Sequence, residues 1–337
     1  MSPTSPTAPT SPHPQYCSAK NKKGPAEASL TPSPSGGLVM PKILDSRCQK
    51  SNRTYNFQYT FMPPLSAIPV PTTLSRAVRV FISRDGLSSP AAECHNSFAG
   101  YPSTSGIGAW YEFEVSIHGI PEQKTGYLAT LAQLDAAVRN SSIPMLKTSL
   151  FSQTSSPQTT PCMLLQSIAS GVATSLGRPI KSLSWNISPY HQYFWKNDMP
   201  TKTTLTSIFE FAASHRLNDP TRTPAENQSF FGKCNKLNGH GHNYRIAVSI
   251  AIPSEHTFGM AELEEVVDRV IIERFDHMNL NIDCPEFRAT NPSVEHIAAV
   301  CFDLLKEPLL NHDAELKSVR LWETSKTSAT VEAGEIA

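Results

Sequence analysis

Two segments in the C-terminal part of the chain alternate between apolar and polar residues, TLTSIFEFAASH (204–215) and NYRIAVSIAIP (243–253). This alternation, together with their β-branched and aromatic residues, predicts two half-buried strands. MAELEEVVDRVIIERF (260–275) instead repeats its apolar residues at helical spacing, and a second helix is predicted to open on Pro292, a favoured first helical residue. LKSVRLWET and SATVE then predict two closing strands, so the order is two strands, two helices and two strands.

The same pattern occurs earlier in the chain, because three N-terminal segments align with three C-terminal segments in the same order. The longest pair, GIGAWYEFEVSIHGIPEQKTG and GHGHNYRIAVSIAIPSEHTFG, has eight identical positions without a gap. The aligned segments are 81–87 with 211–217, 106–126 with 239–259, and 181–188 with 317–324. Such a repeat predicts a duplicated domain, with one copy at 76–198 and the other at 203–333.

Residues 1–75 differ in composition from the rest of the chain. The opening MSPTSPTAPTSPHPQ is rich in proline, serine and threonine and has almost no large apolar side chains. Such a segment buries too little surface to offset the entropy of ordering it, so we predict that 1–75 is disordered. The predicted fold class is α+β, with two tandem domains, each an antiparallel four-stranded sheet with two helices on one face.

Charge and composition exclude several classes of function. The formal net charge is zero, which argues against nucleic acid and anionic membranes as partners. No apolar run reaches the length of a membrane span, and the start of the chain lacks the pattern of a secretory signal. A transit peptide is disfavoured because arginine is absent before Arg47. The seven cysteines are scattered without CxxC spacing, which predicts reduced thiols and a cytoplasmic location.

The segment CNKLNGHGHNY (234–244) carries the most specific chemistry. On a strand, His240 and His242 project to the same side, one pleat apart, and a hairpin partner would bring His215 alongside. Three imidazoles with an open fourth position are typical of a catalytic zinc. A single histidine, by contrast, is more often a hydrogen-bonded core or surface residue.

The first copy lacks these imidazoles. Its aligned residues are Asp85, Ile107 and Ala109. A sheet that needed histidines for folding would need them in both copies, so a local chemical role in the second copy is favoured, with the metal in that copy only.

Cys234 and the segment FDHMNLN add further candidates. Cys234 has three interpretations: a fourth zinc ligand in a closed structural site, a nucleophile or base beside the metal, or an inert buried thiol. Asp276 and His277 follow the first helix of the second copy in a loop. Such a pair is usually a solvated turn, whereas near a cysteine and a zinc ion it would tune a proton relay.

Five ordered motifs of the second copy, FAASHRL, FFGKCNKLNGHGHNY, FDHMNLN, NPSVEHIA and WET, resemble the 6-pyruvoyl tetrahydropterin synthase family over nearly all of 203–333. The resemblance implies a tunnelling fold (T-fold) in which Zn2+ is held by His215, His240 and His242. It also implies a catalytic set made of Cys234, Asp276 and His277. In the family, the residues that match Asp276 and His277 can be supplied by a neighbouring subunit.

The resemblance further implies three residues that contact the pterin substrate. Glu323 matches the glutamate that anchors the pterin ring, which suits a carboxylate because the ring presents adjacent N–H donors. The alternative for Glu323 is a strand-end cap. Ser293 and Glu295 match the family's hydroxyl and acid at the start of the second helix. The family often has two adjacent threonines where this chain has Ser293 and Val294, and the valine offers no hydroxyl.

The implied reaction converts 7,8-dihydroneopterin triphosphate to 6-pyruvoyl tetrahydropterin with loss of triphosphate, a lyase step of tetrahydrobiopterin biosynthesis. A first alternative is 6-carboxytetrahydropterin synthase of queuosine biosynthesis. In that relative the cysteine typically lies closer to HGH, whereas here five residues separate Cys234 from His240. A second alternative is a non-catalytic zinc- or pterin-binding scaffold, which remains the best hypothesis for the first copy.

The resemblance also implies a homo-oligomer, because pairing of sheet edges between subunits covers unpaired strands. Since the family forms two stacked three-domain rings, we expect a homotrimer in which each chain contributes one domain to each ring.

Overall fold

A computed structural model of the protein describes residues 70–84, 106–151 and 159–334, all of which belong to one compact unit. The region 1–75, which the sequence predicts to be disordered, lies outside the described residues except for its last six positions. The first strand begins at Thr72, four residues before the predicted start of the first copy at 76. None of the described helices has the length and apolar content needed to span a bilayer.

The described ranges contain nine strands in one sheet. They are β1 (Thr72–Ser83), β2 (Gly108–Gly119), β3 (Ser182–Ser188), β4 (His191–Lys196), β5 (Lys202–His215), β6 (His240–Pro253), β7 (Met278–Asn279), β8 (Glu315–Thr324) and β9 (Thr327–Glu332). The strand order is β1-β2-β3-β4-β5-β6-β8-β9, with the short β7 parallel to β5. The sequence predicts two separate four-stranded sheets, but antiparallel pairing of β4 with β5 joins them into one.

The described ranges contain six α-helices. They are α1 (Leu131–Phe151), α2 (Pro161–Leu176), α3 (Pro224–Phe231), α4 (Met260–Val267), α5 (Glu273–Phe275) and α6 (Val294–Leu310). A π-helical segment (Asp268–Ile272) joins α4 to α5, and 3-10 turns occur at Gly232–Asn235 and Pro285–Phe287. In the first half of the unit, α1 packs on β1 and α2 on β3 and β4, whereas in the second half α6 packs on β8 and β9.

Large side chains from both halves fill the core between the sheet and the helices. Phe113, Tyr193, Tyr244 and Phe275 are all fully buried. Phe211 stacks on Tyr244 with ring centroids 5.1 Å apart, and its ring lies 6.2 Å from that of Phe275, so β5, β6 and α5 share one aromatic cluster. This cluster supports the end of the sheet at which the candidate histidines lie.

Both predicted helices of the second half form, but each differs in detail from the prediction. The segment 260–275 is helical throughout, with the π-helical turn inserted before α5. The second helix begins at Val294 and not at Pro292, because Ser293 is the N-cap: its hydroxyl accepts a hydrogen bond from His296 N at 3.4 Å. Pro292 therefore precedes the cap, which leaves its carbonyl free for another partner.

Strand register tests the predicted alignment between the two halves. The pairing of β2 with β3 matches that of β6 with β8, in agreement with the two longer alignments. The shorter alignment, 81–87 with 211–217, is wrong by one residue. Gly108 and Gly241 are aligned with each other, and they pair with Ser83 and Ser214 respectively, so Ser83 is the counterpart of Ser214. His215 follows Ser214, so its counterpart is Arg84; Asp85 lies outside the described residues.

The pairing of β4 with β5 also corrects the expected assembly. Because both halves lie side by side in one sheet, a chain cannot place one half in each of two stacked rings. The two outermost strands of the described sheet are β1 and β9.

The joined sheet predicts that both halves unfold together. Leu205 is fully buried in β5 and faces Tyr193 of β4 and Ile250 of β6. We expect Leu205→Ala to lower the free energy of unfolding by about 3 kcal/mol because it leaves a cavity in the shared core. The exposed Ile120 is the control, since Ile120→Ala should change stability by less than about 0.5 kcal/mol. Two separate urea transitions, only one of them shifted by Leu205→Ala, would contradict the shared core.

Candidate active site

Three histidines meet at the open end of β5 and β6. His215 is the last residue of β5 and pairs directly with His240, the first residue of β6, while His242 pairs with Ala213. Paired positions of antiparallel strands lie on the same face of the sheet, so the three imidazoles share one face. One ring nitrogen from each histidine lies within 4.8 Å of those of the other two, and the Nε2 atoms of His215 and His240 are 3.2 Å apart.

A hydrogen bond to the backbone fixes the tautomer of His215. This side chain is fully buried, and its Nδ1 lies 2.7 Å from the carbonyl oxygen of Pro292. A carbonyl only accepts, so Nδ1 donates the hydrogen and the lone pair remains on Nε2, next to His240. Burial lowers the pKa of both His215 and His240, which favours the neutral form that binds a metal.

The residues around the three imidazoles fit a divalent metal ion. Nε2 of His242 is buried and makes no hydrogen bond, which is uncommon for a polar atom and is explained if that nitrogen binds an ion. The carboxylate of Glu323 supplies negative charge at the same place: its Oε1 lies 3.3 Å from Nε2 of His215 and 3.5 Å from Nε2 of His242. Three imidazole nitrogens suit transition metals such as zinc, and the nearby carboxylate partly offsets the positive charge of such an ion.

Gly239 allows the turn that places His240 against His215. Its φ is 68°, in the left-handed region that favours glycine. A Cβ atom at this position would lie 2.7 Å from the carbonyl oxygen of His215. Any other residue would push the start of β6 away from the end of β5 and separate the two imidazoles.

Asp276 and His277 form a hydrogen-bonded pair beside β5. One carboxylate oxygen of Asp276 accepts from the Ala212 amide and the other lies 2.7 Å from Nδ1 of His277. The hydrogen bond from the Ala212 amide, followed by the contacts with His277, lowers the pKa of Asp276, so the carboxylate is charged. His277 has a φ of 60° and an 84% exposed side chain. A left-handed backbone at a non-glycine residue is typical of functional sites.

One cleft connects the Asp276–His277 pair with the histidine group through one residue of each, His277 and His242. His242 and His277 both line a cleft of about 520 Å3, together with residues of β5, β6 and β7. The Nδ1 of His277 is occupied by Asp276, so its Nε2 is the nitrogen that can exchange a proton with a bound molecule.

Cys234 lies near the histidines but outside their group. It is half-buried in the 3-10 turn, and it does not belong to the set of described side chains that could share an ion. The carbonyl oxygen of Cys234 accepts a hydrogen bond from the amide of Leu217 at 3.0 Å, two residues after His215. Among the described contacts, none joins this thiol to His277.

The remaining predicted residues lie at the start of α6. Ser293 caps the helix, and its hydroxyl also hydrogen-bonds Glu295, which lowers the pKa of that exposed carboxyl. Val294 is buried. No described contact links Ser293 or Glu295 to the three histidines, so their role in binding substrate stays a prediction.

Two positioning groups were missed from the sequence. The Pro292 carbonyl that orients His215 has no signal, since any residue has a carbonyl. Asn281 could have been singled out from the sequence, because it is the last residue of the FDHMNLN motif. Its side chain accepts from the backbone amide of Arg216 at 2.7 Å and donates to the carbonyl of Arg216 at 2.9 Å, which holds the chain directly after His215.

Comparison with known proteins agrees with this geometry. The protein-family model described as 6-pyruvoyl tetrahydropterin synthase matches residues 204–334. A 6-pyruvoyl tetrahydrobiopterin synthase of Drosophila melanogaster is 37% identical over 126 residues, which make up 36% of this chain and 74% of that protein. The chain belongs to the 6-pyruvoyl tetrahydropterin synthase family. The family match covers the second half of the described unit and leaves out the first.

Two further proteins named as synthases of this type are similar to part of the chain. The human 6-pyruvoyl tetrahydrobiopterin synthase is 37% identical over 103 residues, or 29% of this chain and 71% of that protein. The solved structure of the Caenorhabditis elegans 6-pyruvoyl tetrahydropterin synthase gives a TM-score of 0.37 at 33% identity and covers 40% of this chain and 96% of that one.

The geometry predicts one zinc ion per chain, held by histidines and not by the thiol. The counterparts of the three histidines in the first half are Arg84, Ile107 and Ala109, which offer no metal ligand. Elemental analysis should give one zinc per chain for the wild type and for Cys234→Ala, and none for His240→Ala. Two ions per chain, or loss of zinc in Cys234→Ala, would contradict the assignment.

Proposed function

We propose that this chain is a zinc-dependent lyase of the 6-pyruvoyl tetrahydropterin synthase type. It would convert 7,8-dihydroneopterin triphosphate to 6-pyruvoyl tetrahydropterin and release triphosphate. The observation that carries the proposal is the convergence of three imidazoles, a carboxylate and an aspartate–histidine pair at one end of β5 and β6. The names of the curated relatives support the same activity.

Each side chain then has a distinct task. His215, His240 and His242 hold the zinc ion, which when bound supplies Lewis acidity that makes carbon-bound protons beside the substrate's side-chain oxygens easier to remove. The thiolate of Cys234 takes such a proton at Sγ. His277 takes up and returns protons through Nε2, because Asp276 orients its Nδ1–H. Glu323 accepts hydrogen bonds from the pterin ring.

The elimination step balances without an external redox partner. The carbon–hydrogen bond next to the phosphate-bearing carbon breaks, and its electrons form a carbon–carbon double bond. The carbon–oxygen bond to triphosphate breaks at the same time, and triphosphate leaves with that electron pair. Proton transfers then convert the side-chain hydroxyl carbons to carbonyls while the ring is reduced.

We propose that the two halves are tandem T-fold copies with different tasks. The second copy is catalytic, and the first is a structural partner that supplies β4 to cover the edge of β5. A carboxy-forming synthase is the alternative for the second copy, because it would use a similar set of residues, and only the identity of the product separates the two.

We also propose that chains assemble by pairing β1 of one chain with β9 of the next, which covers both open edges of the sheet. A ring closed in this way contains an even number of halves, since each chain adds two. The family ring of three halves is therefore excluded, and the nearest closed ring has four halves from two chains.

Product analysis tests the proposed activity. Purified zinc-loaded protein incubated with 7,8-dihydroneopterin triphosphate should release inorganic triphosphate and form a product with the mass of 6-pyruvoyl tetrahydropterin. Cys234→Ala and His277→Ala should each slow turnover by about 100-fold or more, because a positioned acid or base typically contributes this much. A carboxy product with acetaldehyde, or no turnover by the wild type, would refute the proposal.

Light scattering tests the proposed assembly. We expect a mass of two chains, or of four if two rings stack, because rings closed by β1 and β9 contain whole chains. A proline within β9, as in Thr330→Pro, should remove an edge donor and shift the protein toward monomer. A stable trimer or a monomeric wild type would contradict a ring of two chains.

A further inference from the structure

The 3-10 turn that carries Cys234 is joined to the segment after β5 by its own last residue. The turn spans Gly232–Asn235, and no described side chain caps its start. Its first residue is attached to α3, since Nε2 of Gln228 donates to the Gly232 carbonyl at 3.1 Å. Its last residue, Asn235, is buried. The place of the thiol within this turn therefore depends on what Asn235 contacts.

Asn235 makes hydrogen bonds through both its side chain and its carbonyl. Its Nδ2 donates to the carbonyl of Leu217 at 2.8 Å and to Oδ1 of Asn218 at 3.0 Å. Its carbonyl accepts from Nε of Arg216 at 3.0 Å. A carbonyl oxygen cannot donate, so the contact with Leu217 fixes the side-chain nitrogen as the donor. Asn235 thus bonds to each of the three residues that follow His215.

Cys234 itself belongs to the same connection. The amide of Leu217 donates to the Cys234 carbonyl at 3.0 Å, while the carbonyl of Leu217 accepts from Asn235. Two consecutive residues of the turn therefore use both backbone polar groups of Leu217. Since Leu217 lies two residues after His215, the cysteine is tied to the strand end that carries this histidine.

The same hydrogen bonds reach the loop that orients His215. The Oδ1 atom of Asn291 accepts from the amide of Asn218 at 2.8 Å, and the next residue, Pro292, supplies the carbonyl that holds Nδ1 of His215. The side chain of Asn218 in turn accepts from Asn235. One connected set of hydrogen bonds therefore holds both the histidine and the turn of the cysteine.

The side-chain amide of Asn235 carries half of the described bonds between the turn and this segment. Without it, the carbonyl of Leu217 loses this donor, and an acceptor that loses its partner is unfavourable unless water replaces it. Among the described contacts, the turn would keep its bonds from the amide of Leu217 and from Nε of Arg216. The turn would then open more easily, and the thiol with it.

We propose that Asn235 is a positioning residue that holds the thiol of Cys234 at a fixed place relative to His215. The proposal rests on the proposed function, in which Cys234 takes a proton from the substrate, and deepens it by naming the residue that fixes this base. A base must lie within hydrogen-bond reach of the proton that it removes, and a displacement of about 1 Å can cost about 100-fold in rate. Asn235 acts through Cys234 and does not touch the reacting atoms.

Asn227 of α3 offers a matched control. Like Asn235 it is a buried asparagine, and its Nδ2 donates to the carbonyls of Asp219 and Thr223. Its Oδ1 accepts from the amide of Asp219. None of these bonds involves the turn that carries Cys234. Replacing Asn227 by alanine therefore removes similar hydrogen bonds without releasing the thiol.

Alkylation by iodoacetamide tests the hold on the thiol without turnover. The zinc-loaded full chain is treated, and modification of Cys234 is followed by peptide mass spectrometry, which separates it from the other cysteines. Asn235→Ala should raise the alkylation rate at Cys234 by about fivefold, because loss of a hydrogen bond favours local opening of the turn by such a factor. Asn227→Ala should be alkylated there at the wild-type rate.

Turnover in a double-mutant cycle tests whether Asn235 acts through the thiol. Asn235→Ala should lower kcat by about tenfold or more, with KM and zinc content unchanged, because the base is displaced while the metal site stays intact. In a Cys234→Ala background the same substitution should have no further effect. Asn227→Ala should keep the wild-type kcat. If Asn235→Ala loses its zinc or fails to fold, Asn235→Ser takes its place, since its hydroxyl is too short to reach Leu217.

The proposal is overturned if loss of the Asn235 side chain leaves the alkylation rate of Cys234 unchanged, or if it slows turnover equally with and without the thiol. Its failure is distinguishable from that of the proposed function. A wild type without turnover would refute the function, while the alkylation rate would still decide whether Asn235 holds the turn. Turnover with an unchanged alkylation rate would keep the function and remove the role of Asn235.

Discussion

The register between β5 and β6 is the constraint on which the candidate site depends. Fourteen consecutive pairs, from Lys202 with Pro253 to His215 with His240, leave no freedom in how the two strands meet at their open end. A shift of one residue would turn His240 and His242 to the opposite face of the sheet and leave His215 alone in the core. The grouping of the three histidines and the cleft shared by His242 and His277 therefore both follow from the pairing of these two strands.

Burial of the same strands sets the chemistry of the histidines. The aromatic cluster of Phe211, Tyr244 and Phe275 brings the end of β5 into the core, and the loss of water keeps His215 neutral and ready to bind a metal. The loop after α5 completes the arrangement from the other edge of β5, where Asp276 bonds the Ala212 amide and Asn281 bonds Arg216. Folding of the second half and assembly of its site are thus the same event.

Local patterns in the sequence predicted the parts of this structure that depend on neighbouring residues. Alternation predicted β5 and β6, helical spacing predicted α4 and α6, and the HGH segment indicated histidines that the fold brings together with His215. Features that depend on pairing between segments far apart in the chain could not be predicted from the sequence. Predicting that β4 and β5 join the two sheets would require knowing how the two halves lie relative to each other. The one-residue error that aligned Asp85 with His215 arose where only short segments could be aligned. The Pro292 carbonyl that orients His215 belongs to the backbone and has no residue signature.

X-ray absorption at the zinc edge of the full-length protein tests the central claim most directly, because it reports the atoms bound to the ion. The account predicts a shell of nitrogen and oxygen atoms at about 2.0–2.1 Å, with three imidazoles and no sulfur. A sulfur atom at about 2.3 Å would mean that Cys234 is a ligand and would contradict both the three-histidine site and the role of the thiol as a base.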